Sequence, residues 1–209
     1  MIKRGLDIVL SLMGLLVLCP IFLILGLFIR MESKGPIIFK QTRTGRQGKL
    51  FEVYKLRTMV ADDSRSDIYT TPSDDPRITK IGNFIRRYNL DELPQFANVL
   101  KGDMSIVGPR PEIPQYTALY SEKEKKILSV RPGITDLAPL WIRDKGNLVL
   151  GSEDPEEIYL KKIRPEKIRL QLQYIEEKST LLDIKIMFKT FKSHLLDRLV
   201  KHTDTIKED

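Results

Sequence analysis

Cysteine and histidine are scarce in this sequence, with one Cys and two His among 209 residues. A lone Cys19 excludes an internal disulfide and suits a chain that faces a reducing cytosol. So few soft ligands also leave no zinc-binding pattern. There is no aromatic-interleaved RNA motif, no Lys/Arg block long enough to be a nucleic-acid arm, and no internal repeat or low-complexity tract. The net charge of +7 is therefore assigned to an anionic membrane surface or a phosphorylated substrate, with no nucleic acid as partner. An apolar content of 42% provides for one core, while 30% charged residues is too many for a polytopic membrane protein.

What the sequence does have is a long apolar run. Ile8 to Ile29 carries no charge, and at about 1.5 Å per residue it is long enough to cross the ~30 Å hydrocarbon core of a bilayer. It is too long for the apolar region of a signal peptide, and Arg30, Met31 and Glu32 follow it where a small-residue cleavage site would stand. Pro20, preceded by Cys19, falls near the middle and marks a place to bend. Lys3 and Arg4 precede the run while Arg30, Lys34, Lys40 and Arg43 follow it, so the positive-inside bias is met at both ends only if both are cytosolic. The expectation is a re-entrant helix over residues 1–34, then a cytosolic domain over 35–200 and a frayed tail over 201–209.

Beyond it, Pro36–Gln41 and Leu50–Leu56 are β-rich runs on either side of Gly45 and Gly48 and predict a hairpin. Arg57, just past the hairpin, is a candidate phosphate or structural ligand, because a planar guanidinium binds phosphate oxygens in pairs. Residues 61–75 hold five Asp without ligand-like spacing and are expected to form a solvated loop. Asp75-Pro76 is read as the start of a helix whose apolar face is Ile78, Ile81, Phe84, Ile85 and Tyr88.

The stretch Asn89 to Pro111, NLDELPQFANVLKGDMSIVGPRP, concentrates the chemistry. Pro94 belongs in the first turn of a helix, which makes Asp91 or a neighbour its N-cap and sets Asp91 and Glu92 at the positive end of the helix dipole. Adjacent helical residues face different ways, so two separate roles are expected, although Asp followed by Glu at a helix start also serves ordinary capping. Arg110, held between Pro109 and Pro111, is pre-set to grip a diphosphate or to pair with a nearby acid. Ser121 and Glu124 form a capping box. The tail holds three helical pieces, the last of them, from Thr180, amphipathic and basic, suited to a membrane interface or to packing on the domain.

DELPQ and VLKGDMSIVGPRP, preceded by YKLRTM at Tyr54–Met59 and followed by RPGIT at Arg131–Thr135, resemble the bacterial sugar transferases, small monotopic phosphoglycosyl transferases. The resemblance implies transfer of a sugar-1-phosphate from a UDP-sugar to polyprenyl phosphate with Mg²⁺. It also implies a covalent intermediate on Asp91, which would also lie beside the metal, and a place for Glu92 in the same site. It carries Arg86, five residues before Asp91, and Arg143 into the site as phosphate ligands. It implies the cytoplasmic face of a bacterial inner membrane, with the lipid bilayer as a further partner, and leaves a homodimer open. Two departures stand out: Cys19 replaces a usual Ser before the proline, and Asp136–Ile142 replaces a segment close to GWAQVNG. The expected fold is α-rich α+β, with a re-entrant helix, a small β-hairpin, a compact helical catalytic domain and C-terminal amphipathic helices. The competing readings are a metal-dependent nucleotide-sugar phosphohydrolase and a non-enzymatic membrane-anchored assembly factor.

Overall fold

The uncharged run forms one α-helix, α1 (Ile2–Glu32, 31 residues), about 46 Å long at ~1.5 Å per residue. The computed structural model describes residues 2–60, 75–138, 141 and 155–205, with 155–156 and 194–205 as backbone alone. Helix α1 continues through Cys19 and Pro20, so the bend expected there does not interrupt it. Proline removes one N–H and crowds the preceding turn. Leu16 and Val17 in that turn are 68% and 73% exposed.

Both ends of α1 bond to the domain that follows. At its start, Lys3 Nζ donates to the Val107 carbonyl at 2.9 Å, Arg4 Nη1 to the Val99 carbonyl at 2.8 Å, and Asp7 accepts from Ser105 Oγ at 2.8 Å and Ile106 N at 3.1 Å. At its end, Glu32 accepts from the main-chain N–H groups of Lys80 and Ile81 at 2.7 and 2.9 Å, while Leu25 and Ile29 are buried with Leu56 and Ile85.

The expected hairpin is present: β1 (Ile38–Thr44) pairs antiparallel with β2 (Leu50–Leu56). Helix α2 (Lys80–Arg87) starts later than Asp75-Pro76 suggested, with Thr79 as N-cap accepting from Gly82 N. The reason is local: Asp75 folds back to accept from Arg77 N at 2.9 Å and from its guanidinium at 2.7 Å, and Ile78 bridges to Met59. Of the apolar face read for this helix, Ile85 is buried, whereas Phe84 is exposed and packs on the Tyr88 ring at 4.9 Å.

A 3-10 turn (Leu90–Glu92) leads into α3 (Gln95–Lys101), closed by Gly102 in the left-handed region (φ 95°). Next, β3 (Ser105–Val107) pairs in parallel with β4 (Gly133–Thr135). Three-residue strands carry too little alternation to be read from sequence. Between them lie α4 (Pro114–Thr117) and a 3-10 helix over Glu124–Ser129, which the capping box does open, Ser121 N donating to Glu124 Oε2 at 2.7 Å. Helix α5 (Pro155–Ile158) passes through a π-helical turn (Tyr159–Ile163) into α6 (Arg164–Glu177), and α7 (Thr180–Thr205) continues past the limit expected at residue 200. Among the described residues the result is an α-rich fold with two small two-stranded sheets.

Gly133 sits against Gly108 so closely that a Cβ on it would lie 2.1 Å from Gly108 N and 2.3 Å from Gly108 O. Neither neighbour is a flexible side chain, so the β3–β4 pair must separate to admit one. Gly133→Ala is expected to lower stability by roughly 3 kcal/mol, which in a chain of this size is a fall in Tm of about 6–12 °C, read by thermal unfolding in detergent.

Candidate active site

Asn89 adopts a left-handed conformation (φ 52°) and turns the chain into the 3-10 turn that carries both carboxylates. Of the cap positions expected, Asp91 or a neighbour, it is Pro94 that stands at the N-cap of α3, and Asp91 lies in a separate turn ahead of it. Leu93 (φ −59°, ψ −33°) and Pro94 (φ −60°, ψ −14°) already have helical dihedrals, so Pro94 does occupy the first-turn position its missing N–H allows. The turn is fixed against the hairpin by Asn98, buried in α3, whose Nδ2 donates to the Glu52 carbonyl at 2.7 Å and whose Oδ1 accepts from Tyr54 N at 3.0 Å. Asn98 thus satisfies the outer edge of β2 as a neighbouring strand would, and the next residue of β2, Lys55, is held facing the carboxylates.

Glu92 accepts from both arms of the Arg110 guanidinium, with Nη1 at 2.9 Å from Oε2 and Nη2 on Oε1. It also accepts from Lys55 Nζ at 3.2 Å. Those two cations hold its carboxyl far below the usual carboxylate range, against the opposing effect of burial. Asp91 differs. Its carboxylate accepts no hydrogen bond from a described residue, and its nearest cation is Lys55 at 4.0 Å. Burial, then the adjacent Glu92 charge, push its carboxyl up, and Lys55, Arg110 and Arg86 only partly offset them. The two acids converge on one lysine yet differ in character: Glu92 is a locked anion, and Asp91 is a more basic carboxylate with its lone pairs unengaged, the state a nucleophile needs.

Of the arginines expected here, Arg110 is brought to the pair, its fork engaged by Glu92. Arg86 is close enough to Asp91 to act on its charge, while its Nε donates to Thr58 Oγ1 at 2.8 Å. Arg57 is placed elsewhere. It donates to the carbonyls of Ser33 and Lys34, each at 2.7 Å, and of Ile29 at 3.4 Å, so of its two readings the structural one accounts for its bonds: it caps the C-terminal end of α1. Gly35 (φ 123°) makes room, since a Cβ there would meet Arg57 Nη1 at 2.1 Å. Arg143 and residues 61–74 lie outside the described residues. Lys55 and Asn98 were not singled out in the sequence. Lys55 stood in plain view inside YKLRTM, and alternation along β2 puts it on the face of Val53, which packs against Val99 of α3.

A family model described as bacterial sugar transferase matches residues 1–197. The UDP-glucose:undecaprenyl-phosphate glucose-1-phosphate transferase of Escherichia coli (strain K12) is 40% identical over 193 residues, covering 91% of this chain and 39% of that protein. The undecaprenyl-phosphate glucose phosphotransferase of Komagataeibacter xylinus is 39% identical over 203 residues, 94% of this chain and 36% of that protein. The exopolysaccharide production protein PSS of Rhizobium leguminosarum bv. phaseoli is 40% identical over 205 residues, 93% of this chain and 95% of that protein. The chain thus spans well under half the length of the first two and nearly all of the third.

The opposite shifts of the two carboxyls give opposite stability effects. Glu92, with its folded pKa depressed, contributes stability that is present above its unfolded pKa of about 4.3 and is lost as pH falls through the folded value. Asp91, with its folded pKa raised, costs stability once ionised, and the cost disappears below about pH 3.9. Glu92→Gln is therefore expected to lower stability at pH 7 by roughly 2–3 kcal/mol, less than a fully buried pair because Arg110 keeps some solvent contact. Asp91→Asn is expected to raise Tm at pH 7, with the gain shrinking as the pH is lowered. Melts of both variants from pH 4 to 8 check the two signs.

Proposed function

This chain belongs to the bacterial sugar transferase family, and from that premise we propose that it transfers a sugar-1-phosphate from a UDP-sugar to polyprenyl phosphate at a membrane surface, releasing UMP. The observation that carries the reading is the asymmetry of the carboxylates: one is fully engaged by Arg110 and Lys55, and its neighbour is raised in basicity and unbonded. In the proposed chemistry an Asp91 oxygen attacks the β-phosphorus of the UDP-sugar and the bond from that phosphorus to the bridging oxygen breaks. UMP leaves with the bridging oxygen and its electron pair. A phosphate oxygen of the polyprenyl phosphate then attacks the same phosphorus, the phosphorus–Asp91 bond breaks, and the carboxylate is regenerated. No proton need move in either step. Lys55 lies between the carboxylates, and with Arg110 and Arg86 it supplies positive charge where an anionic nucleophile must approach an anionic phosphate.

Mg²⁺ fits this site through Asp91. Among the described residues no three His, Cys, Asp or Glu side chains group into a cage, and Mg²⁺ commonly binds through one or two carboxylates together with substrate phosphates and water. Bound there, it would neutralise diphosphate charge.

Placement at the membrane is supported by α1, the one described helix long and apolar enough to cross a bilayer, both of whose ends are bonded to one domain. Bonds from both ends to one domain support reading the two ends of α1 as lying on the same side of the membrane. Exposed Leu181, Ile184, Phe188 and Phe191 form a second apolar stripe along α7, joined to the start of α1 by the Lys3–Asp183 pair at 2.7 Å, which suits a helix lying in the interface. We place the domain on the cytoplasmic face of the inner membrane.

Two measurements test this. Full chain mixed with UDP-sugars is expected to release one equivalent of UMP in a burst and to turn over repeatedly only when polyprenyl phosphate is added, with ping-pong kinetics, and Asp91→Asn is expected to abolish both phases. Continuous UMP release without acceptor would favour a hydrolase instead. In a Cys19→Ser background, cysteines at the exposed positions Ile2 and Lys34 are expected to escape an impermeant thiol reagent applied outside intact cells; labelling of either overturns the same-face topology.

A further inference from the structure

Arg110 is held not only by the acid its guanidinium meets but by its own main chain. Its N–H donates to Asp136 Oδ2 at 2.8 Å, and its carbonyl accepts from Gln171 Nε2 at 3.2 Å. Gln171 Nε2 also donates to Asp136 Oδ2 at 3.1 Å, and the other Asp136 oxygen accepts from Ala138 N at 2.7 Å. Asp136 is 0% and Gln171 1% exposed. The grip extends along α6, where Tyr174, Gln171 and Lys167 lie at helical spacing on one face. Tyr174 Oη donates to Asp183 Oδ1 at 2.8 Å and lies 3.3 Å from the Val107 carbonyl, and Lys167 pairs with Glu112, so the three side chains follow the chain from β3 through Arg110 to the residue after Pro111. The π-helical turn before α6 adds Tyr159, whose hydroxyl donates to Glu112 at 2.7 Å. Gln171 Oε1 is buried without a partner.

We propose that Asp136 and Gln171 are positioning residues for Arg110, clamping its peptide groups on both sides so that the guanidinium meets Glu92 with both arms. The proposal rests on the transferase reading for its kinetic test and only on geometry for its stability test.

The test is a double-mutant cycle of Gln171→Met, which keeps the volume and removes the donors, with Arg110→Lys, which keeps the charge and removes the fork. If Gln171 acts through Arg110, kcat/KM for UMP release falls about tenfold in the parent background and less than twofold in the Arg110→Lys background. Asp136→Asn, which retains an acceptor for Arg110 N, is expected to fall less than Asp136→Ala. Equal losses from Gln171→Met in both backgrounds overturn the proposal. A second cycle, Gln171→Met with Glu92→Gln read by urea unfolding at pH 7, needs no substrate: non-additive midpoints support the clamp and additive ones overturn it. A parent chain that releases no UMP would sink the transferase reading, and the unfolding cycle would then decide this proposal alone.

Discussion

The bidentate pair between Arg110 and Glu92 is the contact on which the rest of the site is arranged. Neither partner lies in an α-helix or a strand: Glu92 is in a one-turn 3-10 segment, and Arg110 is in a proline-flanked connector. Such segments have no internal ladder to hold them, so their geometry must come from neighbours. For Glu92 the neighbour is the hairpin, reached through Asn98 and Lys55. The Arg110 connector is held by β3, β4 and α6. A partly buried ion pair of this kind is worth little unless its geometry is well supplied with further bonds, and here the surrounding fold supplies them on both sides.

Helix α1 takes part in that support. The charged residues near its ends occupy backbone groups that the domain cannot satisfy by itself. Arg4 meets the last carbonyls of α3, Glu32 meets the first N–H groups of α2, and Asp7 and Lys3 meet the outer edge of β3. Unpaired groups at helix ends and strand edges are costly when buried. Removing α1 would expose them at three elements together, including the helix that follows the carboxylate turn and the strand that leads to Arg110. Arg57 answers in the other direction, since it starts from the domain and caps the end of α1. The long apolar helix and the site geometry are thus parts of one hydrogen-bonded structure.

Much of this was legible in the residues, and the failures share a cause. The apolar run, the hairpin with its glycine turn and the Ser121 capping box all rest on local patterns, and the structure carries each of them. What was misread depended on bonds that override the local pattern. Asp75 has the look of a helix cap but bonds back to Arg77, two residues on. Arg57 has the look of a phosphate ligand, but the end of α1 comes within its reach. The β3–β4 pair is too short to announce itself, and Asn98 in mid-helix reads as a weak helix former until β2 is seen beside it. Lys55 could have been found from the alternation of β2, since Val53 and Lys55 share a face and Val53 is buried. The roles of Asp136 and Gln171 could not, because neither carries a signal apart from the fold that brings them to one peptide.

The difference between the adjacent carboxylates follows from counting cations at each oxygen and needs no special residue. Both acids leave water, and that alone raises the pKa of each. Glu92 has a guanidinium across its two oxygens and an ammonium on one of them, and those attractions exceed its desolvation. Asp91 shares only the more distant side of that ammonium and also feels its neighbour's negative charge, so for it desolvation wins. Arg110 keeps Glu92 ionised, and that charge raises Asp91, while Arg110, Lys55 and Arg86 offset part of the rise. A site that needs one acid as a fixed counter-charge and the other as a donor of electrons can therefore obtain both from two consecutive residues, provided the arginine is held still.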